Sequence, residues 1–245
     1  MICYADTQFN QTTNEIQMKN LILQDSISFP DINLDGVKGV LIDLDDTLYF
    51  YLPPHKKAMR VLYEDVVKHF CKISLQEFVE QIEDIWTNFC KETDFSILIH
   101  NRMVTFQRFA ERNKIDKPYA LAARMKRVYF NAFMRAAEEQ GPALQAKKFL
   151  ERCKKQKIPV CLVTDMYATT QVRKLKALKL TSYVDFISSN DEAGFDKPNS
   201  WIFEIALNKL KLKAKDVIMV GNDIERDIEG AKNLGILTYH VVVHK

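Results

Sequence analysis

The chain has 245 residues, 47% hydrophobic and 27% charged, with a formal net charge of +3. That is enough apolar material to bury a sizeable core in one large domain or two modest ones. The near balance of charge, with Lys and Arg dispersed, leaves no footprint for nucleic acid, and no run reaches the length of a membrane span.

Residues 1–28 are polar, rich in Gln, Asn and Thr and without clear periodicity; they predict a poorly ordered extension, and a short helix over 15–23 is compatible with the pattern. No basic start followed by an apolar core marks an export signal. Five cysteines, Cys3, Cys71, Cys90, Cys153 and Cys161, are odd in number, widely spaced and without a Cys-x-x-Cys pair, which favours a reduced, cytoplasmic compartment.

An apolar run over 37–42, interrupted by Lys38 and Gly39, predicts a short buried strand ending in Asp43-Leu44-Asp45-Asp46-Thr47-Leu48. Three acids within four residues repel one another. A strand that delivers them to a sheet edge is costly unless a cation or a proton sits among them. Such acids can also punctuate a turn or cap a helix, so the stretch needs partners from elsewhere in the chain to be a site.

Tyr51-Leu52-Pro53-Pro54 predicts a break in regular structure, after which the periodicity turns helical. Val61, Leu62, Val66 and Phe70 recur at helical spacing, then Phe78, Ile82, Ile85, Trp86 and Phe89, followed by 97–109 and 120–137. No convincing strand interrupts this stretch before Gly141-Pro142, a plausible hinge. Beyond it, helices over 143–155, 170–178, 199–210 and 225–234 alternate with strands over 158–163, 183–188, 217–220 and 237–243. Alternation of this kind implies a parallel sheet with helices on both faces. A crossover needs only about a dozen residues, so the long helical stretch after the first strand is an insertion. The expected organisation is a polar extension 1–28, an α/β core of 29–51 with 141–245, and an α-helical cap 52–140.

Open parallel sheets place ligands at the carboxyl ends of their strands. The first strand ends in Asp43 and Asp45, the second in Thr164-Asp165, and the strand over 217–220 in Gly221-Asn222-Asp223, with Asp227 one turn further on. Lys197 stands just ahead of a helix start marked by Pro198, Asn199 and Ser200. A phosphoryl dianion attacked by a carboxylate needs a divalent metal, a donor hydroxyl, a cation and an acid for the leaving oxygen. Asp43, Asn222 with Asp223, Thr164, Lys197 and Asp45 can supply each of these, and ligation by oxygen favours Mg²⁺ over zinc.

In order, spacing and strand-end placement, these residues resemble the haloacid dehalogenase superfamily of hydrolases over about residues 37–240, in the subclass with a helical cap inserted between the first two motifs. The resemblance implies a Rossmann-like α/β fold with an all-α cap, and a cytoplasmic Mg²⁺-dependent phosphatase acting on a small phosphorylated metabolite, a nucleotide or a sugar phosphate, without nucleic-acid or membrane partners. A phosphomutase, or a catalytically weak binding protein on the same fold, are the alternatives. The resemblance makes Asp43 the nucleophile that forms an aspartyl-phosphate, and Asp45 the general acid and then base, its protonation favoured by neighbouring carboxylates. Thr164 and Lys197 would hold the phosphoryl oxygens with Asp165 beside them. The metal would take Asp43, the backbone carbonyl of Asp45, and the pair Asn222 and Asp223. The family usually carries Gly-Asp where Gly221-Asn222 stands here, so Asp223 is expected to carry the charge.

Asp227 is expected to support the metal loop, and Asp46 and Asp165 either to cap or orient or to act in the site directly. Tyr49, Phe50, His55, Asn101, Arg102 and Arg112 are candidate substrate contacts, the aromatic pair as a platform for a base. The basic helix over 173–179 reads as a solvated face, Cys161 as core, and Trp86 and Trp201 as packing residues on apolar faces.

Overall fold

The computed structural model describes residues 26–93 and 97–244, so Cys3 and the segment 15–23 lie outside the described residues. The strands are β1 (Ser26–Ser28), β2 (Gly39–Ile42), β3 (Val160–Thr164), β4 (Phe186–Ser189), β5 (Val217–Gly221), β6 (Leu237–His240) and β7 (Val242–His244). Five of them form one parallel sheet in the order β4-β3-β2-β5-β6, while β1 and β7 make a separate two-stranded pair. The strand carrying the acidic stretch is therefore central. Every residue of β2, β3 and β5 is buried, as expected of parallel strands covered on both faces, and this is why they read as unbroken apolar runs.

The longer helices are α1 (Leu52–Leu62), α2 (Leu75–Glu92), α3 (Arg102–Arg112), α4 (Pro118–Gln140), α5 (Leu144–Lys155), α6 (Ala168–Ala177) and α7 (Ser200–Leu210). Helix α7 buries Ile202, Phe203, Ala206 and Leu210, a stripe at helical spacing, in one cluster with Leu41, Cys161, Val163 and Met219 from the sheet. This contact joins the central strands to the helix that follows Lys197. Cys161 is core, its thiol pushed up to about 12 chiefly by burial.

Residues 27–243 of the described chain fall into two compact units, 27–55 with 133–243, and 56–132. The first holds the sheet. The second is helical, and α2 starts with a capping box in which Ser74 and Glu77 satisfy each other's backbone N–H groups. Helices α1 and α4 each begin in one unit and end in the other.

Four expectations are corrected. Pro53 and Pro54 do not break structure but lie in the first turn of α1, where a missing N–H costs nothing. The segment 26–28 is not extension but strand β1, paired with β7. The helix expected over 225–234 is a π-helical turn, Ile224–Glu229, followed by one short turn, Gly230–Lys232. Trp201, expected to pack on an apolar face, is 46% exposed in the first turn of α7.

Candidate active site

The acidic stretch leaves the sheet between its two neighbours. The Asp43 N–H still joins the ladder, donating to Val220 O at 3.0 Å, and the chain then turns. Asp46 adopts a left-handed conformation, φ 60°, which aspartate tolerates better than most residues. Its carboxylate accepts the Tyr51 N–H at 2.9 Å, so Asp46 closes the turn that points Asp43 and Asp45 to separate partners.

Asp43 is buried, and Lys197 Nζ donates to its Oδ1 at 2.8 Å. The same ammonium donates to Asp227 at 2.7 Å and to Val163 O at 3.1 Å. One lysine thus serves two buried carboxylates. Burial, with Asp227 adding to it against the pull of Lys197, raises the Asp43 carboxyl to about 7. Burial alone would lower Lys197, but Asp227 and Asp43 hold it well above its ordinary value. Asp227 fits only because residue 221 is glycine: a Cβ there would meet its carboxylate oxygen at 2.3 Å.

Asp45 is held differently. Lys174 Nζ lies 2.7 and 2.6 Å from its two oxygens, the Tyr49 hydroxyl donates to Oδ1, and Gln171 Nε2 reaches Oδ2 at 3.4 Å. Burial disfavours its charge, but Lys174 and these hydrogen bonds outweigh burial and keep the carboxyl below its ordinary range. The expectation that neighbouring carboxylates favour its proton is corrected: the nearest charge is a cation.

The other strand ends meet the same place. Thr47 Oγ1 lies 3.1 Å from both Asp43 Oδ2 and Asn222 Oδ1, and one hydroxyl proton can serve only one of them. Thr164 Oγ1 accepts from Gln171 Nε2 at 2.5 Å. Asp165 accepts the Lys197 backbone N–H at 2.7 Å and pairs with Arg226 at 3.1 Å, which ties three loops together. Asp223 caps the π-helical turn, its Oδ1 accepting the Arg226 N–H at 2.9 Å. Among the described residues no three acidic, His or Cys side chains converge as a metal cluster.

Asp43, Lys197, Thr47, Asn222 and Asp227 thus come together, with Thr164 joined to Asp45 through Gln171. Among the suggested substrate contacts, Tyr49 is engaged with Asp45 inside the site, and Asn101, Arg102 and Arg112 with protein groups away from it. Tyr49 is fully buried, Asn101 caps α3, Arg112 pairs with Asp84, and Arg102 lies over the Tyr129 ring at 5.2 Å.

This constellation at the carboxyl ends of a five-stranded parallel sheet coincides with a family match: a model of the haloacid dehalogenase-like hydrolases covers residues 37–235. The chain belongs to that family. A ribulose-1,5-bisphosphate 5-phosphatase from Halopiger xanaduensis is 30% identical over 200 residues, 82% of each chain. A glyceraldehyde 3-phosphate phosphatase from Pyrococcus furiosus is 27% identical over 82% of this chain and 79% of its own. Among solved structures, a 2-haloacid dehalogenase from Pseudomonas syringae shares the fold, with a TM-score of 0.68 at 22% identity over 82% of this chain and 85% of that one.

Within this haloacid dehalogenase-like site, the sequence did not point to Lys174 or Gln171. Lys174 sits in the basic stretch taken for a solvated face, yet is 1% exposed. A signal was present: Gln171, Lys174, Leu175 and Leu178 recur at helical spacing, so Lys174 shares the buried stripe of α6. Arg226, in the loop after β5, also went unnoticed.

Oxygen donors suit Mg²⁺ here. Two buried carboxylates on one lysine leave a net negative charge, and the Thr47 hydroxyl leaves one of the Asp43 and Asn222 oxygens without its proton. No helix among the described residues is long and apolar enough to cross a membrane.

Proposed function

We propose that the protein is a Mg²⁺-dependent phosphatase of small sugar phosphates that works through an aspartyl-phosphate on Asp43. Asp43 attacks phosphorus while the bond to the leaving oxygen breaks and Asp45 gives that oxygen its proton. Asp45, now a carboxylate, takes a proton from the water that attacks the aspartyl-phosphate, which frees phosphate and restores both groups. Asp45 is a carboxylate at rest, held so by Lys174, Tyr49 and Gln171, so the proton it spends in the first step is one taken up from solvent as the anionic ester binds beside it. Lys197 offsets the charge of Asp43 and, with Thr164, holds the phosphoryl oxygens; Asp165 fixes the Lys197 backbone. Asp43, the Asp45 carbonyl and Asn222 would hold Mg²⁺, with Asp223 adding its charge from the start of the turn. Bound there, the metal neutralises charge on the phosphoryl group. The helical insertion is the proposed cap.

The observation that carries this is the ammonium of Lys197 shared between Asp43 and Asp227 at 2.8 and 2.7 Å, a carboxylate held beside a fixed cation. Sugar phosphates are favoured over nucleotides on two grounds. The similar proteins named above act on ribulose bisphosphate and glyceraldehyde 3-phosphate. Tyr49, the residue best placed in sequence to stack a base, is fully buried with its hydroxyl on Asp45. Phosphate release from triose, pentose and hexose phosphates and nucleotides, with Mg²⁺ or EDTA, tests the proposal. Metal-dependent turnover of the sugar esters supports it; release only from nucleotides overturns the substrate class, and sugar-phosphate interconversion without release overturns the hydrolase.

A further inference from the structure

Burying a lysine is expensive, because the ammonium gives up water for a medium that solvates it poorly. Lys174 is 1% exposed, and its Nζ lies 5.5 Å from the Tyr51 ring centroid and 5.6 Å from that of Phe133, two aromatic faces that a cation can approach. The ion pair on its amine, with both oxygens of Asp45, is the close one. Nothing about α6 requires a charge there, since a leucine or methionine would continue the buried stripe at lower cost. The cost therefore points to Asp45.

Two further groups converge on the same carboxylate. Tyr49, fully buried and four residues on, donates its hydroxyl to Oδ1. Gln171, one turn before Lys174 and also fully buried, spans Asp45 Oδ2 and Thr164 Oγ1 with a single amide nitrogen. The acid/base of the proposed reaction and a proposed phosphoryl-binding hydroxyl are thus fixed to one helix.

We infer that Lys174, assisted by Tyr49 and Gln171, is a positioning residue that fixes the orientation of the Asp45 carboxylate relative to the phosphoryl site. The inference rests on the phosphatase proposal. A carboxyl group on a freely turning side chain gives a proton to the leaving oxygen, or as carboxylate takes one from the attacking water, only in the fraction of orientations that reach them. Here both oxygens are held: Oδ1 by Lys174 and Tyr49, Oδ2 by Lys174 and Gln171. Lys174 touches neither substrate nor metal in this account. Its effect passes wholly through Asp45.

The test is a double-mutant cycle on the full-length protein with Mg²⁺ and the sugar phosphate of highest turnover. Lys174→Met is expected to lower kcat per folded molecule by about 10²-fold, the scale of a lost acid/base contribution, with KM nearly unchanged. In the Asp45→Asn background the same change is expected to cost less than about twofold, because the group it positions is gone. An equal loss in both backgrounds, or an unchanged kcat in the single variant, overturns the inference; a lowered melting temperature with unchanged kcat would make Lys174 structural. Should Lys174→Met fail to fold, or Asp45→Asn fall below detection, Tyr49→Phe decides, since it deletes one donor and no charge. A several-fold loss of kcat at constant KM supports the inference, and no loss overturns it. Absence of wild-type turnover on every ester would remove the phosphatase proposal itself, and this inference with it.

Discussion

Asp43 and Asp45 leave the same strand two residues apart, and their surroundings drive them in opposite directions. On the Asp43 side one ammonium is divided between two buried carboxylates, and the Asp43 carboxyl rises to about 7. On the Asp45 side one ammonium, a phenol and an amide serve a single carboxylate, which is held below its ordinary range. The number of cations per carboxylate decides the difference, as both groups pay for burial. The side short of positive charge suits a divalent cation, through which an anionic substrate would be drawn in; the side with a full set of donors suits a carboxylate that must keep its orientation.

The largest effect expected on this contrast is from Asp43→Asn, which should reduce phosphate release by on the order of 10⁴-fold or more, as for removal of a nucleophile. Stability separates the two lysines. Lys197→Met leaves two buried carboxylates without a counter-charge and should cost about 3–5 kcal/mol in urea unfolding. Lys174→Met leaves Asp45 its two neutral donors and should cost about 1–3 kcal/mol. The reverse order would mean that Lys174, not Lys197, compensates the larger buried charge.

Metal titration separates the two sides further. Because the Asp43 carboxyl is raised to about 7, a proton competes with Mg²⁺ below that pH. Affinity measured by calorimetry should therefore weaken about tenfold from pH 8 to pH 6. A flat profile would show that Asp43 is already ionised in the metal-free protein. The smallest effects concern the loop after β5. Asn222→Asp should tighten Mg²⁺ binding by about tenfold by adding a charged oxygen, whereas Asp223→Ala should cost about 1 kcal/mol through the lost cap and change affinity only a few-fold.

The Asp43 side was legible in the sequence because its parts lie at strand ends or next to a marked helix start. Asp43 and Asn222 follow apolar runs that fix where the chain leaves the sheet, Asp227 lies one turn beyond the second of these, and Lys197 is marked by the helix start behind it. The Asp45 side was hidden because its cation comes from within a helix. Lys174 is one of several basic residues on α6, and only its place on the stripe with Leu175 and Leu178 separates it from solvated neighbours. The strand and helix order after Gly141 followed from alternating periodicity. The start of α1 did not, since two prolines signal a break in most contexts yet fit the first helical turn.

The most direct test of the central claim is to trap the intermediate. The protein is mixed with Mg²⁺ and its best sugar phosphate, quenched in acid and reduced with borohydride, which converts an acyl phosphate on aspartate to homoserine, and the peptide carrying residues 37–48 is weighed. Homoserine is expected at position 43. Homoserine at position 45, or phosphate release with an unmodified peptide, would contradict it.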